Sequence, residues 1–211
     1  MMDYLLVFSA AIIGYLFGSI PTAVWIGRFY YNIDVRQHGS KNAGATNTFR
    51  VLGKKPGIIV LVIDVLKGII ASMFPILFID LHEMSYAFLI SLRLVSSIFS
   101  MIGHVLPLFA GFKGGKGVAT SLGVLIGLQP FAALICFSIF LLVFISSKFV
   151  SLGAIISAIT YPFIVYFVDP NVLFHEMIFT VILSSAVVFT HRKNIFRLIK
   201  GEENKMNLFK R

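Results

Sequence analysis

The chain has a single cysteine, Cys136, and it lies inside an apolar run. That excludes a disulfide framework and any metal site built on thiolates. The histidines and carboxylates do not cluster at ligand spacing, so neither a metal nor a cofactor is expected. Charge is scarce as well. Asp, Glu, Lys and Arg make up 13% of the residues, where a soluble domain has roughly a quarter. Acidic residues are the rarer half, which leaves a net charge of +9. In so apolar a chain this surplus points to anionic lipid and cytoplasmic loops, with no nucleic-acid partner. The first apolar run lacks a basic leading segment and a small-residue cleavage site, so it reads as a retained helix and not a signal peptide. No internal repeat and no low-complexity tract is present. A Walker A loop is missing too: Gly115-Lys116 is followed by Gly117, and Ala110 stands where its first glycine belongs.

What the chain does have is apolar length. Hydrophobic residues make up 58% of its 211 positions, with a mean hydropathy of +0.93. Apolar runs cover about 4–28, 56–79, 84–108, 118–128, 131–147, 149–168 and 172–190. A span needs roughly 20 apolar residues. The expectation is an all-α integral membrane protein of seven transmembrane helices, the fourth short, forming one domain over residues 1–211. The short fourth helix, ended by Gln129-Pro130, would stop partway and leave the loop before it recessed. Irregular backbone at that depth must line a cavity or be buried in protein. With the N-terminus outside, every Lys and Arg except Lys67 and Arg93 falls in an inner segment. The outer connections carry Asp80, Glu83, Asp169 and Glu176. This positive-inside pattern puts the C-terminus in the cytoplasm.

Three polar segments then share the inner face. The central one, 103–120, holds Gly111-Phe112-Lys113-Gly114-Gly115-Lys116-Gly117. Glycines allow positive φ and close backbone approach. Successive amides, followed by a helix N-terminus, can cradle an anion. Taken alone, the loop fits a phosphate cradle and a basic surface loop equally well. The first polar segment, 38–50, offers Ser40, Lys41, Asn42, Thr46, Asn47 and Arg50. The guanidinium fork suits phosphate oxygens, and the amides and hydroxyls can orient a substrate hydroxyl. An ordinary polar turn is the alternative. The third, 190–203, puts His191 and Asn194 three apart, on one face if helical. A basic membrane anchor would explain Lys193 and Lys200 there, but not those two. Asp64 and Lys67 lie inside a span, where charges are functional candidates by default; a mutual intrahelical pair is the plainer reading. Arg93 snorkels or packs inside without an assigned role. His104 is placed to cap or orient the central loop, while His82 and His175 look incidental.

Taken together, the three segments resemble the cytoplasmic motifs of the bacterial acyl-phosphate:glycerol-3-phosphate acyltransferases, the PlsY family. The first motif is Gly39-Ser40-Lys41-Asn42 with Gly44-Ala45-Thr46-Asn47 and Arg50. The second is Gly103-His104, Pro107 and Phe112-Lys113-Gly114-Gly115-Lys116-Gly117-Val118-Ala119-Thr120. The third is His191, Asn194-Ile195, Arg197-Leu198, Gly201 and Glu203. Gly18-Ser19-Ile20-Pro21-Thr22, Asp64-Val65-Leu66-Lys67-Gly68 and Ser151-Leu152-Gly153 also match the family's wording. Order and spacing hold across essentially the whole chain.

The resemblance implies a seven-helix enzyme of the bacterial cytoplasmic (inner) membrane with its site on the cytoplasmic side. It implies transfer of a fatty acyl group from acyl phosphate to the 1-hydroxyl of glycerol 3-phosphate. The products are 1-acylglycerol 3-phosphate (lysophosphatidic acid) and phosphate, in the first step of phospholipid biosynthesis. Membrane lipid and functional coupling to the enzyme that forms acyl phosphate follow from it, and a monomer is expected. On this reading Ser40, Asn42, Arg50, Lys116, His191 and Asn194 carry the reaction. Lys41, Thr46, Asn47, His104, Lys113, Gly114, Gly115, Gly117, Ser151 and Glu203 bind substrate. The general base is open between His191 and the substrate's own phosphate, and so is the division of phosphates between Lys113 and Lys116.

Two other classes fit less well. A lipid or phosphate transporter wants midplane charges and repeats, and only Asp64 and Lys67 qualify. A CoA-dependent acyltransferase typically has Asp five positions after His, and none of the five histidines does.

Overall fold

A computed structural model describes residues 2–81 and 84–206. His82 and Glu83, assigned to an outer connection, and Lys210 and Arg211 of the basic tail lie outside the described residues. All regular structure among the described residues is helical. Among the described residues, five segments are long and apolar enough to cross a bilayer: Asp3–Tyr31, Lys54–Leu77, Tyr86–Ala110, Pro130–Ser147 and Val150–Val168. Phe174–Thr190 and Arg192–Ile199, bent by 58° at His191, make a sixth if taken as one span. Val118–Leu128 has 11 residues, about 16 Å at 1.5 Å per residue, or half of a ~30 Å hydrocarbon core. The short helix therefore has the bounds its sequence predicts, while the count of full spans among the described residues is five or six.

The chain forms two compact units, residues 1–128 and 129–211. In the first, α1 (Met2–Gly18) packs on α5 (Tyr86–Val105), and α4 (Lys54–Met73) packs on α6 (Val118–Leu128). Small residues make both contacts close. A Cβ on Gly14 or Gly18 would overlap the carbonyls of Ser96 or Ser100, and one on Gly68 or Gly123 those of Thr120 or Val65. Helices in lipid gain little from burying apolar surface against each other, so backbone-close packing of this kind holds them together. Arg93 completes the arrangement. Its guanidinium donates to the carbonyls of Ser72 (2.8 Å) and Gly127. It thereby caps the ends of α4 and α6 instead of snorkelling to an interface.

The first apolar run is not one continuous helix. It breaks at Ser19–Pro21, and α2 (Thr22–Tyr31) starts afresh. Pro21 has no N–H for the ladder and crowds the preceding turn; its carbonyl instead accepts the amides of Val24 and Trp25 that open α2. The short α3 (Ala45–Leu52) then packs on α4. In the second unit, α7 (Pro130–Ser147), α8 (Val150–Val168) and α9 (Phe174–Thr190) pack in sequence. The amphipathic α10 (Arg192–Ile199) rests on α8 and α9.

Candidate functional site

The first polar loop is folded around Asn47, which is 1% exposed. Its amide donates to the carbonyls of Val35 (2.7 Å) and His38 (3.1 Å), and its Oδ1 accepts the Ser40 amide at 2.8 Å. Buried polar groups must find partners, and here they are all backbone groups of one loop. Asn47 is therefore the scaffold that presents Ser40. Thr46 is half-buried in the first turn of α3, and Asn42 is half-buried just before it. Ser40, Lys41 and Arg50 are exposed. Lys41 takes φ +58°, a left-handed position uncommon for a residue with a side chain.

The glycine-lysine loop begins as the cap of α5. The amides of Gly114 and Gly115 donate to the carbonyls of Val105 (3.2 Å) and His104 (3.1 Å). These two amides are thus engaged with the protein's own helix end, and their part in a cradle is to shape it. Gly111 (φ +63°) and Gly117 (φ +83°) make the turns on either side. Gly115 is buried under the His104 ring, which a Cβ there would overlap. Lys113 is exposed and Lys116 half-buried. Directly after Gly117, α6 begins with the unpaired first-turn amides of any helix start. They supply partial positive charge beside Lys116.

Two residues that the sequence reading passed over hold these loops together. Arg36 donates to Asp34 in bidentate fashion (3.0 and 2.8 Å), and its Nη1 reaches the carbonyls of Ala110 (2.6 Å) and Lys113 (3.4 Å). Asp34 also takes Arg28 at 2.8 Å. The Arg36 guanidinium, with Arg28 beside it, outweighs burial and holds the Asp34 carboxyl far below the usual carboxylate range; Asp34 in turn raises Arg36. The Ala43 amide adds a direct link to the carbonyl of Gly114 at 3.4 Å. An Asp-x-Arg pair ahead of a polar motif was the available signal; its partners, more than 70 residues away, were not.

Below the glycine-lysine loop, Asp64 and Lys67 form the ion pair expected of them, at 2.9 Å. His104 stands beside it, with Nδ1 3.8 Å from Asp64 Oδ1.

The second unit has its own polar cluster. Glu203 Oε1 accepts Ser151 (2.9 Å) and Asn194 (2.6 Å), and Oε2 accepts Arg197 (2.7 Å). Burial alone would push this carboxyl up; the bonds from Arg197, Asn194 and Ser151 together bring it below its ordinary value. Glu203 is therefore an organiser of neighbouring side chains and not merely a counter-charge in the tail. Glu202 points to solvent. His191 is the N-cap of α10, at the bend from α9, and Asn194 is the third residue of the helix it opens. The Asn194 amide donates to the His191 carbonyl at 2.8 Å. His191 is 3% exposed, with Nδ1 2.8 Å from the Val187 carbonyl. A carbonyl only accepts, so Nδ1 carries hydrogen and Nε2 is the basic nitrogen of the neutral ring.

Ser40, Lys41, Asn42, Thr46, Asn47, Arg50, His104, Lys113, Gly114, Gly115, Lys116 and Gly117 thus belong to the first unit. Ser151, His191, Asn194 and Glu203 belong to the second.

Comparison with known proteins follows the same lines. A family model described as glycerol-3-phosphate acyltransferase matches residues 8–201. A glycerol-3-phosphate acyltransferase of Chlorobaculum tepidum is 41% identical, over 93% of this chain and 94% of that protein. One of Chlorobaculum parvum is 40% identical over 100% of both chains. A crystal structure of PlsY (YgiH), an integral membrane glycerol 3-phosphate acyltransferase in its glycerol 3-phosphate form, superposes with a TM-score of 0.85. It is 33% identical and covers 97% of this chain and 99% of its own. The lysophosphatidic acid form of PlsY gives a TM-score of 0.81, over 96% of both chains.

Proposed function

The chain belongs to the glycerol-3-phosphate acyltransferase family, and we propose that its acyl donor is acyl phosphate. The acceptor is the 1-hydroxyl of glycerol 3-phosphate. The products are 1-acylglycerol 3-phosphate and inorganic phosphate, in the first step of phospholipid biosynthesis. The whole chain works as one acyltransferase domain of seven membrane helices, Val118–Leu128 being the short fourth. Its N-terminus is outside, and its site faces the cytoplasm of a bacterial inner membrane. A monomer suffices, supplied by the enzyme that makes acyl phosphate.

The observation that carries this reading is the joint between the two loops of the first unit. Arg36 and Ala43 bind the carbonyls of Ala110, Lys113 and Gly114. Fixing those carbonyls on one side favours a loop whose cations and helix start serve the other. An acyl phosphate is a mixed anhydride and is already activated, so no covalent enzyme intermediate is needed. The enzyme's work is to position two anions and offset their repulsion.

Lys116, with Lys113 and the α6 N-terminus, holds the acyl-phosphate phosphate, and the fatty chain lies among the helices toward lipid. Ser40 and Asn42 orient the reacting groups, with Asn47 fixing the Ser40 backbone and Thr46 beside it. Arg50, Lys41, His191 and Asn194 gather glycerol 3-phosphate. Glu203, which also accepts Ser151, fixes the Asn194 amide nitrogen and so sets the direction of its oxygen. The hydroxyl oxygen forms a bond to the acyl carbonyl carbon, and the bond from that carbon to the phosphate oxygen breaks. The departing phosphate takes the hydroxyl proton; His191 Nε2 is the other base of suitable chemistry.

The test compares purified protein with labelled glycerol 3-phosphate and palmitoyl phosphate, palmitoyl-CoA or palmitoyl acyl carrier protein. Product from palmitoyl phosphate alone is expected. Product from the thioesters only would contradict the reading.

A further inference from the structure

Beneath the glycine-lysine loop lies a knot of charge that the reaction above does not use. Asp64 and Lys67 sit on α4 inside the span Lys54–Leu77, with side chains 2% and 4% exposed. Desolvating two charges generally costs about what their attraction returns. An apolar pair would hold α4 as firmly, and a charge kept inside a membrane calls for another reason.

The contacts around the pair suggest that reason. Thr22 Oγ1 donates to Asp64 Oδ1 at 3.2 Å, and Lys67 Nζ donates to the Ile20 carbonyl at 3.1 Å. Both partners lie at the break in the first span. On the other side, His104 Nδ1 stands 3.8 Å from the same Asp64 oxygen. His104 is the residue whose carbonyl receives the Gly115 amide and whose ring covers Gly115. A cavity of about 10 Å³, the room of one water molecule, opens among Asp64, Lys67, His104, Gly114 and Gly115. Hydrogen bonds therefore tie the ion pair to the break at Pro21, and the His104 ring, 3.8 Å from Asp64, stands between the pair and the floor of the loop.

We infer that Asp64 and Lys67 are positioning residues for the glycine-lysine loop, acting through His104 to fix the height and tilt of the anion cradle. The inference rests on the proposed use of that loop. A staple between α4 and the broken first span would explain Thr22 and Ile20, but it has no use for His104. Positioning explains both sides, and it gives the charges a purpose: Asp64 offers a fixed negative partner that an imidazole will face, which an apolar side chain cannot.

The experiment separates positioning from stability. Asp64→Asn or Lys67→Met alone strands one buried charge and should destabilise. The double variant Asp64→Asn/Lys67→Met removes both charges and should recover much of the loss. Unfolding temperature is measured in detergent. Steady-state rates are measured with palmitoyl phosphate and glycerol 3-phosphate varied separately.

The double variant is expected to melt near the wild-type temperature, yet to lose at least roughly tenfold in kcat/KM for the acyl donor. Its KM for glycerol 3-phosphate should stay within about twofold, because only the loop has shifted. Adding His104→Asn to the double should cost little more, since residues acting through one another are not additive. Wild-type kinetics in a well-folded double variant would overturn the inference. If the double variant fails to fold, His104→Asn alone decides, since it removes no buried charge pair: an unchanged donor KM would overturn the proposal. If the wild-type protein proves to use a thioester, the donor reading fails by itself, and the same variants compared on that donor still decide the positioning role.

Discussion

Arg36 Nη1 donates to the Ala110 carbonyl at 2.6 Å, across 74 residues of sequence. That bond joins a loop rich in amides and hydroxyls to a loop rich in glycine and lysine. Asp34 holds the guanidinium flat behind it through two further bonds.

Removing this clasp should loosen the loop without touching the helices. Hydrogen bonds to charged groups contribute about 1.5–3 kcal/mol each. Arg36→Gln is expected to raise KM for acyl phosphate roughly tenfold or more, since 1.4 kcal/mol is a factor of ten. Arg36→Lys, which keeps the charge but loses the planar fork, should recover only part. Initial rates at varied donor concentration read this out. Equal donor KM in wild type and Arg36→Gln would show that the clasp does not set the loop.

Gly115 has no room for a methyl group, because a Cβ would overlap the His104 ring. Gly115→Ala must push the ring or lift the loop. A loss of kcat/KM by a factor on the order of ten to a hundred is expected, with a drop of a few degrees in unfolding temperature. Gly53→Ala is the comparison for a glycine with open space, although its φ of +95° adds strain of its own.

Glu203 links the reaction to pH through stability. Its folded pKa is lowered, so its contribution is fully present above the unfolded value of about 4.3. It is lost as pH falls through the folded value. The gap in unfolding temperature between wild type and Glu203→Gln should be complete at about pH 6 and shrink below about pH 4. Asp34, also lowered, follows the same sign. A gap that grew on acidification would contradict the assigned network.

His191 divides two roles. Nδ1–H is given to the Val187 carbonyl, so any proton that the ring accepts goes to Nε2. His191→Gln removes the base but keeps a polar side chain. If the departing phosphate takes the proton, the loss should fall on KM for glycerol 3-phosphate, with kcat within about tenfold of wild type. A fall in kcat beyond roughly a hundredfold at saturation would make His191 the base.

How much was legible beforehand depended on the range of the interaction. The short α6 was plain, because an 11-residue apolar run ending at Gln129-Pro130 leaves little choice. The Asp64–Lys67 pair was readable from helical spacing alone. The break at Pro21 was missed: apolar length hid a proline whose effect is local. The motif resemblance names Asn47 with the substrate-binding residues; that its side-chain amide also braces Val35, His38 and Ser40 needed the folded loop. Arg36 depends on carbonyls more than 70 residues away, and the hub at Glu203 joins two near partners, Asn194 and Arg197, to Ser151, 52 residues away, which no local pattern encodes. Gly114 and Gly115 were legible as a turn; that their amides close α5 needed the turn's geometry.

Product stoichiometry tests the donor most sharply. Purified protein in phospholipid vesicles is given palmitoyl phosphate and labelled glycerol 3-phosphate, without CoA or acyl carrier protein. Lysophosphatidic acid and inorganic phosphate are followed together. Both are expected in equal amounts, and both should vanish in Lys116→Ala while the variant remains folded. Phosphate released without lysophosphatidic acid, or near-normal turnover by Lys116→Ala, would contradict it.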